Sequence, residues 1–237
     1  MKIKKQDLLY SGKVKSLYKT DKDGLLITEF RNDTTAFNGV KHELLDNKGK
    51  INNEISTFIM NKLEEEGVPT HLEVKLSDTE IVVKHLKMIP VECVIRNIAA
   101  GSLCKRLGIE EKSELDPPLV EFFYKSDELG DPMISREHAI TFEWATPEQL
   151  DEMVRLTRKI NSVMKAMFDK AGMLLVDAKF EFGIGSNGKV YLGDEISPDS
   201  CRIWDSISLE SLDKDRFRKD LGNVIESYQI IADRLGV

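Results

Sequence analysis

Two charged runs, Asp177-Ala-Lys179-Phe-Glu181-Phe-Gly183 and Gly193-Asp194-Glu195-Ile-Ser-Pro198-Asp199, flank Ser186-Asn187-Gly188-Lys189, and this arrangement limits the fold more than any other segment. Asn-Gly between alternating residues signals a two-residue hairpin. Pairing outward from it sets Ser186 opposite Lys189, Gly183 opposite Leu192 and Glu181 opposite Asp194. Directly opposed residues have Cβ atoms about 5 Å apart on one face. Two carboxylates so placed repel unless a cation or a proton lies between them. The side-chain period of two adds Asp177, Lys179, Val190 and Leu192 to that face, and turns Val176, Ala178, Phe180 and Phe182 toward a core. Charged strands are often plain solvated faces, but the apolar residues here suit the wall of a cleft that holds a metal and something apolar. The same pairing sets Glu195 opposite Phe180 on the core side, which calls for a bulge or a buried partner.

With 237 residues, 41% hydrophobic and 32% charged, the chain can bury a full core as one large domain or two small lobes. A formal net charge of −7 argues against the basic footprint of a nucleic-acid binder. Cys93, Cys104 and Cys201 show no metal-type pairing and read as reduced thiols of a cytoplasmic protein. No segment has the apolar length of a signal peptide or a membrane span.

Up to about Pro90 the pattern is mostly strands: Lys13 to Thr20, Leu25 to Phe30, Leu72 to Leu76 and Glu80 to Leu86, with turns at Asp23-Gly24 and Ser77-Asp78. One helix interrupts them, capped by Asn52 or Asn53, striped by Ile55, Phe58, Ile59 and Leu63, and stopped by Gly67 and Pro69. Beyond Pro90 a long helix is expected from Thr146 to Ala171, with Pro147 at its first position, Gln149 completing a capping box and Gly172 ending it. A last helix is expected from about Asp215 to Leu235, with Phe217, Leu221, Val224, Ile225 and Tyr228 on its stripe. Asp116-Pro-Pro118 to Asp131-Pro132 reads as a long surface loop.

Three further segments carry chemistry. In Tyr10-Ser-Gly12-Lys13-Val14-Lys15-Ser16, a backbone without Cβ and two lysines can approach phosphate oxygens, although a plain basic turn has the same look. Ile81-Val-Val-Lys84-His-Leu-Lys87-Met88 offers apolar walls for a nucleotide base and a cation for its phosphates. Its alternative is an ordinary strand with an exposed lysine. In Val94-Ile-Arg96-Asn-Ile-Ala-Ala-Gly101-Ser102, small residues open a short helix ended by Gly108, and Arg96 can clamp an anion bidentately. His42, His71, His85 and His138 have no metal-ligand spacing and receive no role, and no nucleophile signature is present.

Gly12-Lys-Val-Lys-Ser, Phe30-Arg-Asn-Asp-Thr-Thr-Ala, Pro90-Val-Glu-Cys-Val-Ile-Arg-Asn-Ile-Ala-Ala-Gly-Ser102, Asp177 to Gly183 and Gly193 to Asp205 occur in that order. Together they resemble the phosphoribosylaminoimidazole-succinocarboxamide synthase, or SAICAR synthetase, family across essentially the whole chain. The resemblance implies an α+β class and a two-lobed SAICAR synthase-like fold related to ATP-grasp. An antiparallel-sheet lobe over residues 1–88 would cover ATP, and a larger mixed α+β lobe over residues 89–237 would hold the metal and substrate sites. It implies that an imidazole carboxylate attacks the γ-phosphate of ATP and that the amine of L-aspartate displaces phosphate from the acyl phosphate.

Carried over by position, Glu181 and Asp194 resemble Mg²⁺ ligands. Gly12, Lys13, Val14 and Lys15 resemble ATP phosphate contacts, while Lys84, Met88, Leu192 and Lys125 would border the nucleotide. Arg96, Ser102 and Arg202 resemble a clamp on the substrate's ribose phosphate, and Asp177, Lys179 and Asp199 residues that orient the reacting groups. Some relatives carry Asp where this chain has Asn38, which weakens a charge-based role for that substrate-side position. Partners would be small molecules, with neither nucleic acid nor membrane, and a homodimer is a family-level expectation. A small-molecule kinase that stops at phosphoryl transfer and a non-catalytic nucleotide-binding regulator are the rival readings.

Overall fold

The computed structural model describes residues 3–12, 14–36 and 40–237. Strands β1 (Lys5–Ser11), β2 (Lys15–Thr20) and β3 (Leu25–Phe30) follow one another as antiparallel hairpins. A ribbon of β4 (Asp33–Ala36) and β5 (Lys41–Leu44) leads into helix α1 (Lys48–Glu65). Strands β1 to β3 join β6 (Leu72–Lys75) and β7 (Glu80–Lys84) in a five-stranded antiparallel sheet in the order β1-β2-β3-β7-β6, while, among the described residues, β4 and β5 pair only with each other. Leu26, Phe30, Leu72, Ile81 and Val83 bury its inner face against Met60 of α1.

The second sheet begins with β8 (Lys87–Ile98), and after helix α2 (Ser102–Leu107) continues with β9 (Glu114–Tyr124) and β10 (Met133–Ile134). Helices α3 (Arg136–Thr141) and α4 (Pro147–Lys170) precede β11 (Met173–Ile184), β12 (Val190–Gly193) and β13 (Cys201–Asp205). The order is β10-β9-β8-β11-β12, with β13 also on β11, and α5 (Asp215–Arg218) and α6 (Val224–Leu235) close the chain. Leu150, Met153, Leu156, Ile160, Met164 and Phe168 of α4 form the main core with residues of β8 and β11. That helix starts and stops as its sequence predicts. Thr146 accepts from the Gln149 amide, the Gln149 side chain answers the Thr146 amide, and Gly172 follows with φ +70°.

Several expectations are corrected. Helix α1 starts after Asn47, not at Asn52 or Asn53, because those two side chains are buried within the helix. Asn52 donates to Asp199 Oδ2 at 3.0 Å, and Asn53 to the carbonyls of Ser77 and Asp78. Residues 116–124 belong to β9 and not to a loop. Pro117 and Pro118 are tolerated because the ladder with β8 is irregular between Glu114 and Leu119. The final helix is broken: Asp220, Gly222 and Asn223 take positive φ, and Leu221 is exposed.

The hairpin register is also one residue away from the expected one. Glu181 pairs with Gly193, Phe182 with Leu192 and Gly183 with Tyr191. Gly185 and Lys189 close a three-residue loop in which the Gly188 amide donates to Gly185 at 2.9 Å and only Gly188 needs positive φ, +77°. This is a turn with a glycine bulge in place of the two-residue form. A slip of one exchanges faces, so Val190 and Leu192 lie in the core and Tyr191 takes the opposite face.

Candidate active site

A cavity of about 500 Å³ lies between the two sheets. Leu17, Leu26, Ile81, Val83, Leu86 and Met88 line its apolar part. Gly183 and Gly193 make room for Met88, since a Cβ on either would approach its Sδ or Cε within 3.1 Å. The charged part holds Lys15, Lys125 and Lys179 against Glu92, Glu181, Asp194 and Glu195.

These charges interlock. Lys179 Nζ lies 2.6 Å from Glu181 and 3.0 Å from Glu92, Lys125 pairs with the other Glu181 oxygen, and Lys15 pairs with both Asp194 and Glu195. Asp194 reaches the site through a left-handed turn at φ +59°, not through the ladder. The expected pairing of Glu195 with Phe180 does not form: β12 ends at Gly193, Phe180 lies opposite Cys93 of β8, and Glu195 pairs with Lys15 at the cavity. The carboxylate directly opposite Glu181 is Glu92 of β8, and Lys179 is the cation between them.

Burial alone would weaken every charge here, and the partners decide the outcome. Burial raises the Glu92 carboxyl, with Glu181 adding to the effect. Burial opposes the Lys179 charge, but Glu181, Asp194 and Glu92 outweigh it and hold its pKa above the usual lysine value. Burial likewise opposes the Asp194 charge, yet Lys15 and Lys179 hold that carboxyl well below the usual range. His71, in the same wall, is lowered to about 4 by burial and by Lys15.

A second cluster stands outside this cavity. Asp177 of β11 is directly opposite Arg96 of β8 on one side and Arg202 of β13 on the other. Its Oδ2 accepts from Arg96 Nη1 at 2.9 Å and from Arg202 Nη1 at 2.7 Å. Arg96 also donates to Glu121 at 2.6 Å and to Ser102 Oγ at 3.3 Å. Asp199, on the cavity wall, is held by Lys48 at 2.5 Å, Tyr228 at 2.8 Å and Asn52 at 3.0 Å.

The family model described as SAICAR synthetase matches residues 8–235. The chain belongs to the SAICAR synthetase family. The phosphoribosylaminoimidazole-succinocarboxamide synthase of Coxiella burnetii is 60% identical over 237 residues, covering 100% of this chain and 98% of that protein. That of Hahella chejuensis is 58% identical over 235 residues, covering 99% of each. The crystal structure of the Ehrlichia chaffeensis synthase matches with a TM-score of 0.94 at 42% identity, covering 97% of this chain and 98% of that one. A type-2 SAICAR synthetase in complex with ADP matches equally well, with 97% of each chain covered.

Of the residues singled out in the sequence, Gly12, Val14, Lys15, Lys84, Met88, Lys125, Lys179, Glu181, Asp194 and Asp199 line the SAICAR synthetase cavity. Arg96, Ser102, Asp177 and Arg202 meet in the second cluster. Leu192 does not border the cavity: the register slip buries it in the core. Lys13 and Asn38 lie outside the described residues. Glu92, Glu195, His71 and Lys214 line the cavity without having been singled out for it, and Glu121 and Asp215 brace the arginines. Only cross-strand pairing reveals Glu92 and Glu121, and sequence spacing does not carry that pairing.

Proposed function

We propose that the two clusters divide one reaction, the cavity taking ATP and the arginine pair taking the phosphate of the second substrate. The reaction is that of the SAICAR synthetases in purine biosynthesis. The carboxylate of 5-amino-1-(5-phospho-D-ribosyl)imidazole-4-carboxylate is joined to the amine of L-aspartate, giving the succinocarboxamide, ADP and phosphate. The carboxylate oxygen attacks the γ-phosphorus and ADP leaves; the amine then attacks the acyl carbon, loses a proton and expels phosphate. Both steps need reacting groups held together and charge neutralised, with no protein nucleophile.

The observation that carries the division is that Arg96 and Arg202 share Asp177 away from the lysine-lined cavity, so two anionic groups have separate anchors. Lys15, Lys13 and the Gly12 and Val14 backbone would hold ATP phosphates, with Lys84, Met88 and Lys125 around the nucleotide. Arg96, Ser102 and Arg202 would grip the ribotide phosphate, with Asn38 on the substrate side. Asp177 and Asp199 would orient the ribotide. Lys179 would face the transferring phosphoryl group, where a fixed cation offsets developing charge.

Glu181 and Asp194 fit Mg²⁺, because they present hard carboxylate oxygens on one wall and gather enough negative charge to draw in three lysines. When bound there, Mg²⁺ neutralises phosphate oxygens. No helix among the described residues is long and apolar enough to cross a membrane. Free thiols at Cys93, Cys104 and Cys201 suit a cytoplasmic setting, and a homodimer is the assembly proposed from family likeness.

The test is ADP release with Mg²⁺, ATP and the imidazole ribotide, with and without L-aspartate. Release that depends on aspartate, matched by product formation, is the expected result. Release indifferent to aspartate would make the chain a kinase.

A further inference from the structure

We infer that Asp215 is a positioning residue for Arg202, setting the plane of its guanidinium for the ribotide phosphate. This rests on the assignment of Arg202 to that phosphate. A guanidinium is a rigid planar fork, and one hydrogen bond leaves it free to swing, whereas two in different directions fix its plane. Arg202 has two such anchors: Nη1 donates to Asp177 at 2.7 Å and Nε to Asp215 Oδ2 at 2.9 Å. Nη2 makes no hydrogen bond among the described residues, and it lies so close to Gly101 that a Cβ there would come within 2.6 Å. Gly101 adjoins Ser102, which Arg96 already contacts. The one unbonded nitrogen of Arg202, Nη2, is therefore aimed at the ground shared by the other two clamp residues.

Asp215 is itself fixed from three sides. Arg218 donates to its Oδ1 at 2.6 Å and Lys219 stands 3.8 Å from Oδ2. Its amide donates to Asp213 Oδ1 at 2.7 Å, while Asp213 Oδ2 accepts from the Ile203 amide at 2.8 Å. Asp213 thus ties the segment carrying Asp215 to the strand carrying Arg202. A residue placed only to stabilise the short helix it opens would need no contact with Arg202.

The test compares Asp215→Asn, Arg202→Ala and the double variant, measuring KM for the ribotide and for ATP with a thermal melt for each. Asp215→Asn is expected to raise the ribotide KM about tenfold, against less than about twofold for ATP. In the Arg202→Ala background that effect should disappear. A folded Asp215→Asn with the wild-type ribotide KM, or with an equal effect in the absence of Arg202, overturns the inference. Should Asp215→Asn not fold, Asp215→Glu, which keeps the charge on a longer arm, is judged by the same two criteria. Arg202→Ala with an unchanged ribotide KM would instead remove the phosphate assignment beneath it.

Discussion

The cavity and the arginine clamp both bring cations and carboxylates together, but they are built for opposite purposes. In the cavity the cations are lysines, flexible point charges, and the Lys125 side chain remains 46% exposed. In the clamp they are planar arginines, and Arg96 is only 3% exposed. Flexible lysine pairs at a cavity wall can loosen when an anionic ligand arrives. The clamp is a fixed lattice in which one carboxylate, Asp177, spaces two guanidiniums by strand register. Breaking the first should cost chemistry, and breaking the second should cost structure as well.

The largest effects test that division directly. Asp177→Ala leaves Arg96, 3% exposed, and the part-buried Arg202 each short of a partner, and removing one member of a buried ion pair typically costs about 3–5 kcal/mol. On the proposed role of Glu181 as a Mg²⁺ ligand, Glu181→Ala should lower turnover by about a hundredfold or more. Its stability should fall less than that of Asp177→Ala, because the Lys125 and Lys179 side chains, 46% and 33% exposed, can turn into the open cavity once Glu181 is gone. Urea melts beside initial rates decide the matter. Equal destabilisation in the two variants would erase the contrast between the sites.

One group on each side answers acid in the opposite sense. Burial and Lys15 lower His71 from 6.5 to about 4, so between those values the unfolded chain binds a proton that the folded chain refuses. Stability is then lost as pH falls through that window, by about 3 kcal/mol. Burial and Asp215 raise Asp213 from 3.8 to about 7, so there the folded chain binds the proton first. Stability is gained as pH falls, by about 4 kcal/mol. In the ligand-free enzyme, His71→Gln should shift the pH slope between 6.5 and 4.5 toward greater stability in acid, and Asp213→Asn toward less. Urea midpoints at three pH values would show it; matching slopes in the two variants would refute the offset.

Much of this was legible where the sequence signals locally. The capping box of α4 fixes its start, and alternation around Asp177 and Glu181 places the charged face of β11 correctly. Where geometry depends on distant pairing, the sequence is silent. Asn187-Gly188 allows both the two-residue turn and the three-residue loop with a bulge, and these differ by one residue of register, which decides the fate of Leu192. Strand β1 escapes notice because every residue on this sheet edge is exposed, so no alternation marks it. Glu92 and Glu121 join the two sites only through the pairing of β8 with its neighbours.

The smallest effects come from a glycine in each region. Gly101 has φ +59° and ψ −125°, a conformation that side chains rarely adopt, and a Cβ there would press on Arg202. Gly101→Ala should cost about 1–3 kcal/mol and raise the ribotide KM, because the clamp must shift to admit the methyl group. Gly12 needs no positive φ, and the nearest atom to an added Cβ is a ring carbon of Tyr10 at 3.1 Å, on an exposed side chain that can give way. Gly12→Ala should therefore leave stability within about 0.5 kcal/mol. Its methyl group would stand where the backbone meets the cavity, so the KM for ATP should rise while that for the ribotide does not. Thermal melts with both KM values measured on each variant decide the comparison. If Gly12→Ala moved the ribotide KM, or Gly101→Ala the ATP KM, the cavity and the clamp would be one site and not two.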